Sequence, residues 1–331
     1  MLSYIAFFKG KMKFINDVIG EELKLFEARF SDAVKSHTTL LDTIMKYIIK
    51  RKGKQLRPMF VFLSARLHGP VNDSTYRAAA LVEMLHTATL VHDDVVDESM
   101  ERRGFFSINA VWKNKIAVLV GDYLLSKGLL LSTENNDFEH LRILSDAVRQ
   151  MSEGELLQIE KTRKLNIDEA VYFEIIKNKT ASLLSSACGV GAYSTTQDAE
   201  ACNRMELFGE KTGIAFQIKD DLFDYGTDDI GKPTGNDIKE KKMTLPLIYA
   251  LNHTDKKTMR EMVYIVKNNN RDKKKVQFVI DAVTDAGGIK YAQEKMIQYR
   301  DEALEILNVY PESPVSNALR GLVRFTTDRK F

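Results

Sequence analysis

The chain has 331 residues, 44% of them hydrophobic and 28% charged, with a formal net charge of +2. Six Pro and 18 Gly are too few for the turns of an all-β sandwich, and the apolar share is too high for a disordered tether. So small a net charge excludes a globally basic nucleic-acid binder.

The start, MLSYIAFFKGKMKF, holds an apolar run with no basic segment before it and no small-residue cleavage site after it, unlike a signal peptide. Met12 is a second candidate start, and residues 1–11 read as a non-native or disordered extension. Between Thr75 and Asp97 the apolar positions Ala78, Leu81, Val82, Leu85, Thr89 and Val96 recur in steps of three, four and seven, which predicts one long helix. Comparable patterns predict helices over Phe138–Lys161, Asp168–Tyr193 and Ala199–Asp224, the second of these starting at the NIDE segment with Asn166 as cap and Glu169 three residues on. Helices this long and this apolar need partners on several sides, so the expected fold is all-α, a single multi-helix bundle over 1–331. No strand-type alternation and no glycine-rich phosphate fingerprint appear. The longest uncharged stretch, Ala181–Gln197, is rich in Ser, Gly and Thr and falls short of the ~20 apolar residues of a span, so no membrane crossing is expected. Cys188 and Cys202 lack metal-site spacing and suit a reduced, cytoplasmic setting. Glu98–Ser107 and Tyr225–Met243 are the candidate functional loops, and Lys267–Lys275 reads as a solvated helix connection.

Two acidic clusters break the rules of the helices that carry them. DDVVD places Asp93, Asp94 and Asp97 at i, i+1 and i+4, and DDLFD repeats the spacing with Asp220, Asp221 and Asp224. Each ends its predicted helix, where the macrodipole disfavours an anion by ~0.3–1 kcal/mol and like charges at i, i+4 add a few tenths. A repeated violation implies compensation by a cation, and an all-oxygen donor set selects a hard ion, Mg²⁺ or Mn²⁺. Lys54, Arg57, Arg102, Arg103, Lys179, Thr180, Lys232 and Lys242 lie close by in sequence or in the adjoining loops and offer donors to a phosphate ester.

Six segments in order, GKQLRP (Gly53–Pro58), LHTATLVHDDVVDESMERRG (Leu85–Gly104), GDYLL (Gly121–Leu125), KNKTASL (Lys177–Leu183), FQIKDDLFDY (Phe216–Tyr225) and GKPTGNDIKEKKMTLPLI (Gly231–Ile248), resemble the trans-type isoprenyl (polyprenyl) diphosphate synthases over nearly the whole chain. The resemblance, strongest to the long-chain, octaprenyl type, implies an all-α fold around a central cavity, a homodimer, and head-to-tail elongation of an allylic diphosphate by isopentenyl diphosphate. It implies Mg²⁺ at Asp93, Asp94, Asp97, Asp220, Asp221 and Asp224. The allylic diphosphate falls to Arg102, Lys179, Thr180, Gln217, Lys232 and Lys242, and isopentenyl diphosphate to Lys54, Arg57, His86 and Arg103. Asp93, Asp94, Asp97, Asp220 and Lys179 are the expected catalytic set. One departure stands out, Lys241 where the family has Gly.

Small residues one turn before the first cluster, Ala88 and Thr89, followed by Leu85 and faced by Leu129, are expected to leave a channel open for a long all-trans product. The alternatives are a farnesyl or geranylgeranyl synthase, a non-catalytic synthase subunit, or a metal phosphohydrolase built on His92–Asp93 with His68 and His86.

Overall fold

The structure, a computed structural model, describes residues 13–328 apart from 52, 54, 103, 165–167 and 227–234. The described chain is almost wholly helical: α1 Lys13–Ala33, α2 Thr39–Lys50, α3 Leu56–His68, α4 Asp73–Val96, a hairpin of β1 Glu101–Arg102 and β2 Phe105–Phe106, α5 Ile108–Glu134, α6 Phe138–Lys164, α7 Glu169–Ile176, α8 Ser182–Thr196, α9 Ala199–Leu222, α10 Asn236–Lys239, α11 Leu245–His253, α12 Lys256–Asn268, α13 Lys273–Asp285, α14 Gly288–Ile306 and α15 Pro314–Asp328. The predicted helix over Thr75–Asp97 is α4. It starts at a reciprocal cap, in which Asn72 Oδ1 accepts from the Thr75 backbone N–H and Thr75 Oγ1 accepts from the Asn72 N–H. The helix expected over Asp168–Tyr193 begins instead at Asp168, whose carboxylate accepts the Val171 N–H at 2.9 Å; Asn166 lies outside the described residues. The Lys267–Lys275 run is the connection between α12 and α13, as its charge suggests.

The chain forms two compact units, each assembled from several segments: residues 1–148, 186–206 and 310–319, and residues 149–185, 207–309 and 320–331. In the first, α5 packs along α4, and Phe26, Phe60, Phe62, Leu63 and Leu81 are fully buried. The second has its own core, centred on Ile214, Ile218, Leu245, Leu247, Val279 and Val283.

α5 is, among the described residues, the helix long and apolar enough by length and composition to cross a membrane, although Lys113, Lys115, Asp122 and Lys127 interrupt its apolar run. Its Ala117, Val120, Gly121, Leu124 and Gly128 are buried, whereas Val111, Val118, Leu119, Leu129 and Leu130 are 40–55% exposed.

Between α7 and α8 the helix widens into one π-turn, Lys177–Ala181, as helices often do at functional positions. Two glycines of the second unit make room for it. A Cβ on Gly154 of α6 would stand 2.9 Å from Asn178 Cβ and 3.0 Å from the Lys179 nitrogen. One on Gly213 of α9 would stand 2.6 Å from Ala181 Cα. A methyl group at Gly213 therefore has backbone, not a mobile side-chain tip, to displace. Gly213→Ala is expected to lower stability by ~1–3 kcal/mol in urea unfolding, even though Ala is the better helix former by ~1 kcal/mol. An unchanged or raised midpoint would mean that the π-turn is not wedged there.

Candidate active site

The first acidic motif sits where its sequence predicts, at the C-terminus of α4, with Asp93 and Asp94 in the last turn and Asp97 as the C-cap. Its carboxylates divide. Asp94 is 4% exposed and accepts the Arg102 Nε–H at 2.7 Å. Burial lifts its carboxyl above the ordinary carboxylate range against the pull of Arg102. The backbone carbonyl of Asp94 is held as well, accepting from Asn109 Nδ2 at 3.0 Å and from the Ser99 N–H at 2.9 Å. Asp97 is exposed and Asp93 partly so, one turn apart at the helix end. The chain leaves the helix through Glu98, a non-glycine residue at φ 51°.

The second motif repeats the division. Asp220 is exposed, while Asp221 is buried and accepts from Tyr172 Oη at 2.6 Å and from Gln217 Nε2 at 2.8 Å. Gln217 Oε1 in turn accepts from Thr180 Oγ1 at 2.9 Å, so the π-turn is tied into the motif. Burial, with the neighbouring Asp237 charge, pushes the Asp221 carboxyl from 3.8 to about 7 against these hydrogen bonds. Asp224 lies on the 3₁₀ turn Phe223–Tyr225, where its carboxylate accepts the backbone N–H groups of Asn236 (2.7 Å) and Asp237 (3.0 Å) at the start of α10. Burial raises it too, opposed by those two bonds. Asp237 itself is pushed to about 6, by burial first and against the Lys242 charge. Sequence reasoning assigned no role to Asp237 or Tyr172. The first stands within a quoted motif, and the second reaches Asp221 only through the packing of α7 on α9.

The cationic candidates of this unit rest on carboxylates. Lys179 Nζ pairs with Glu155 at 2.5 Å and donates to Gln158 at 3.2 Å. Lys242 pairs with Glu240 at 2.5 Å, with Asp237 at 3.7 Å; burial lowers its ammonium, but these two carboxylates outweigh it and raise the pKa. Lys241, which replaces the family glycine, has φ 59°, so the departure falls on a left-handed position that glycine adopts without strain. In the first unit Arg57 Nη1 donates to His86 Nε2 at 2.8 Å, which leaves the imidazole proton on Nδ1. Lys54, Arg103 and Lys232 lie outside the described residues.

The expected channel wall is corrected in part. Ala88 has 0% accessible surface and Leu85 7%, so both are packed rather than open. Thr89 is partly exposed, with its hydroxyl donating to the His86 carbonyl at 3.0 Å. Leu129 is 49% exposed, whereas Leu124 and Gly128 on the same helix are buried. The histidines do not form a metal site. His92 Nε2 lies 3.3 Å from the Val118 carbonyl oxygen and 3.6 Å from Asp122, His68 bonds to the Ser64 carbonyl and Tyr310, and no group of three or more His, Cys, Asp or Glu among the described residues forms a ready metal cage.

Residues 38–283 match the polyprenyl synthetase family. The chain belongs to it. The octaprenyl diphosphate synthase of Escherichia coli strain K12 is 33% identical over 95% of this chain and 98% of its own length. A polyprenyl synthase from Caulobacter crescentus CB15, solved with calcium and isoprenyl diphosphate, superposes with a TM-score of 0.88 at 32% identity over 97% of this chain and 98% of that one. The geranylgeranyl pyrophosphate synthase of Bacteroides thetaiotaomicron is 38% identical with a TM-score of 0.83, covering 97% of this chain and 100% of that one. The fold is therefore the all-α isoprenoid synthase fold, and the enzyme is a prenyltransferase of the trans-polyprenyl diphosphate synthase class.

Because the folded chain holds a proton on Asp221 that the unfolded chain releases from about 3.8 upward, this carboxyl costs stability increasingly as pH rises towards about 7. Asp221→Asn removes that cost, and the Gln217 amide can turn over to accept from the new amide. The melting temperature of the metal-free variant is expected to exceed wild type by a few degrees at pH 8 and by less at pH 5, as read by calorimetry in EDTA. A gain at pH 5 that equals or exceeds the gain at pH 8 rules out the buried-acid account.

Proposed function

We propose that the protein joins isopentenyl diphosphate to an allylic diphosphate, head to tail, and releases inorganic diphosphate. The observation that carries this is the division of burial between the paired aspartates of each motif: Asp94 and Asp221 are buried, while Asp97 and Asp220 are exposed and Asp93 partly so at the negative ends of helices. Accessible carboxylates placed against a helix dipole suit a hard cation, so Asp93, Asp97 and Asp220 are assigned as the direct holders of Mg²⁺, for which Mn²⁺ can substitute, with Asp94, Asp221 and Asp224 in support. When bound, the metal supplies positive charge to the departing diphosphate. Arg102, Lys179, Thr180, Gln217, Lys232 and Lys242 are assigned to the allylic diphosphate. Lys54, Arg57, His86 and Arg103 are assigned to isopentenyl diphosphate. Lys179 and Lys242 then exchange a carboxylate partner for phosphate oxygens, a replacement that keeps each ammonium paired. The Arg57 bond fixes the His86 tautomer and leaves its Nδ1–H as a donor. No side-chain nucleophile is needed, and the released diphosphate is base enough for the final proton loss.

The product is proposed to be long-chain. Supporting this are Thr89, a small and partly exposed residue one turn before the first motif, and the long-chain relative. The geranylgeranyl synthase among the similar structures makes a shorter product the competing reading. Purified protein incubated with Mg²⁺, labelled isopentenyl diphosphate and farnesyl diphosphate is expected to give products longer than geranylgeranyl diphosphate on sizing. EDTA is expected to abolish them, and Asp93→Ala or Asp220→Ala to cut turnover roughly 10²-fold or more without loss of melting temperature. Wild-type turnover in either folded variant would falsify the metal assignment, and arrest at farnesyl or geranylgeranyl diphosphate would refute the product length.

A homodimer is proposed as the working state, seated on the exposed face of α5. Beyond the break at Lys113, Val118, Leu119, Leu129 and Leu130 are 40–55% exposed along roughly 18 Å of that helix, an apolar stripe of the kind that marks an interaction surface. A second copy covers this stripe without burying the charges that a bilayer would have to accept at Lys115 and Asp122. The buried free thiols Cys188 and Cys202 agree with a reducing, cytoplasmic location. Light scattering is expected to give a dimer mass for wild type and a monomer mass for Leu119→Glu/Leu130→Glu. A monomeric wild type would overturn the assignment.

A further inference from the structure

The hairpin that carries Arg102 is too small to hold itself. Its strands are two residues each, Glu101 pairing with Phe106 and Arg102 with Phe105, and two-stranded ribbons of this size are not independently stable. Its base is closed by the Ser107 N–H donating to the Met100 carbonyl at 3.0 Å and Ser107 Oγ donating to the Ser99 carbonyl at 2.7 Å. On either side stand two non-glycine residues in the left-handed region, Glu98 at φ 51° and Lys113 at φ 72°, the latter breaking α5 just after Trp112. The segment between them departs from the run of both helices; on one side it is tied to Asp94 of α4 through Ser99, Arg102 and Asn109, and on the other it is gripped from α2.

The grip comes from the end of α2. Tyr47 Oη donates to the Phe106 carbonyl at 2.7 Å, and the Tyr47 ring meets Trp112 edge to face at 4.9 Å. Arg51, the C-cap of α2, sets its guanidinium carbon 3.4 Å from the Tyr47 ring centre and 4.6 Å from that of Phe105. Its Nη1 is buried with no hydrogen-bond partner among the described residues, so ring faces hold this end of the cation. Arg102, opposite Phe105 in the hairpin, reaches the other way to Asp94.

We propose that Tyr47 and Arg51 are positioning residues for the transfer reaction: by clamping Phe105, Phe106 and Trp112 they fix the hairpin, and through it the direction in which Arg102 presents its guanidinium to the allylic diphosphate. The substrate half of this rests on the assignment of Arg102 made above; the clamp itself does not. Both residues lie on the α2 side of the hairpin, away from the aspartates themselves.

The chain has one tryptophan, Trp112, so its fluorescence reports the clamp without reference to activity. In the full-length protein, Arg51→Ala is expected to shift Trp112 emission to the red and increase its quenching by acrylamide. The same variant is expected to raise the Michaelis constant for the allylic diphosphate roughly five- to tenfold, with kcat and the constant for isopentenyl diphosphate within about twofold of wild type. Arg51→Lys, which keeps the charge without the planar stack, is expected to recover part of both signals and serves in place of Arg51→Ala if that variant does not fold. Arg51→Ala/Arg102→Ala is expected to match Arg102→Ala alone, because Arg51 acts through Arg102. Unchanged Trp112 quenching, or additive effects in the double variant, overturns the proposal. If Arg102→Ala leaves the allylic constant untouched while Trp112 still responds to Arg51→Ala, the Arg102 assignment falls and the clamp stands.

Discussion

Negative charge at the negative end of a helix is the constraint around which each acidic motif is built. α4 and α9 both finish with adjacent aspartates where a stable helix would place Lys or Arg, and neither terminus could tolerate three equivalent carboxylates. Each resolves the conflict by turning the second aspartate of its pair inward. Asp94 is matched by Arg102, and Asp221 by Tyr172 and Gln217 together with partial protonation. That leaves Asp97 and Asp220 exposed, and Asp93 partly so, at the two helix ends.

The inward bonds do more than relieve repulsion. Through Asp94 the first motif is joined to the hairpin after it, since the same residue takes the Arg102 side chain on its carboxylate and the Asn109 amide on its carbonyl. Through Asp221 and Gln217 the second is joined to the π-turn that carries Thr180 and Lys179. Diphosphate-binding candidates are thereby held in register with the carboxylates of their own unit. The π-turn itself exists because Gly154 and Gly213 leave space on two sides, so helix packing rather than the local sequence of KNKTA widens that turn.

Four of the six described non-glycine residues with positive φ, Gln55, Glu98, Lys113 and Lys241, stand at the edge of a segment carrying binding residues; Asn136 and Gln197 turn the chain between helices elsewhere. Lys241 shows why such positions are only half legible. The departure from glycine is visible in the sequence, but that the position is left-handed, and what the glycine would have been for, is visible only in the backbone.

The sequence alone determined that the fold is all-helical, where α4, α6 and α9 run, and that aspartate triplets close α4 and α9, because hydrophobic periodicity and charge at helix ends are local properties read over a few turns; it did not mark α1, α5 or α14. It also carried the six motifs by which the family is recognised. It could not sort Asp93, Asp97 and Asp220 from Asp94, Asp221 and Asp224, nor Thr89 from Ala88, because i and i+1 differ only in which way they face once neighbouring helices have packed. Nor could it supply Tyr172 for Asp221, Glu155 for Lys179, or Tyr47 and Arg51 for the hairpin, since those partners lie many residues away. Tertiary structure decided them, because burial and hydrogen-bond partnership are set by contacts between segments that no local pattern encodes.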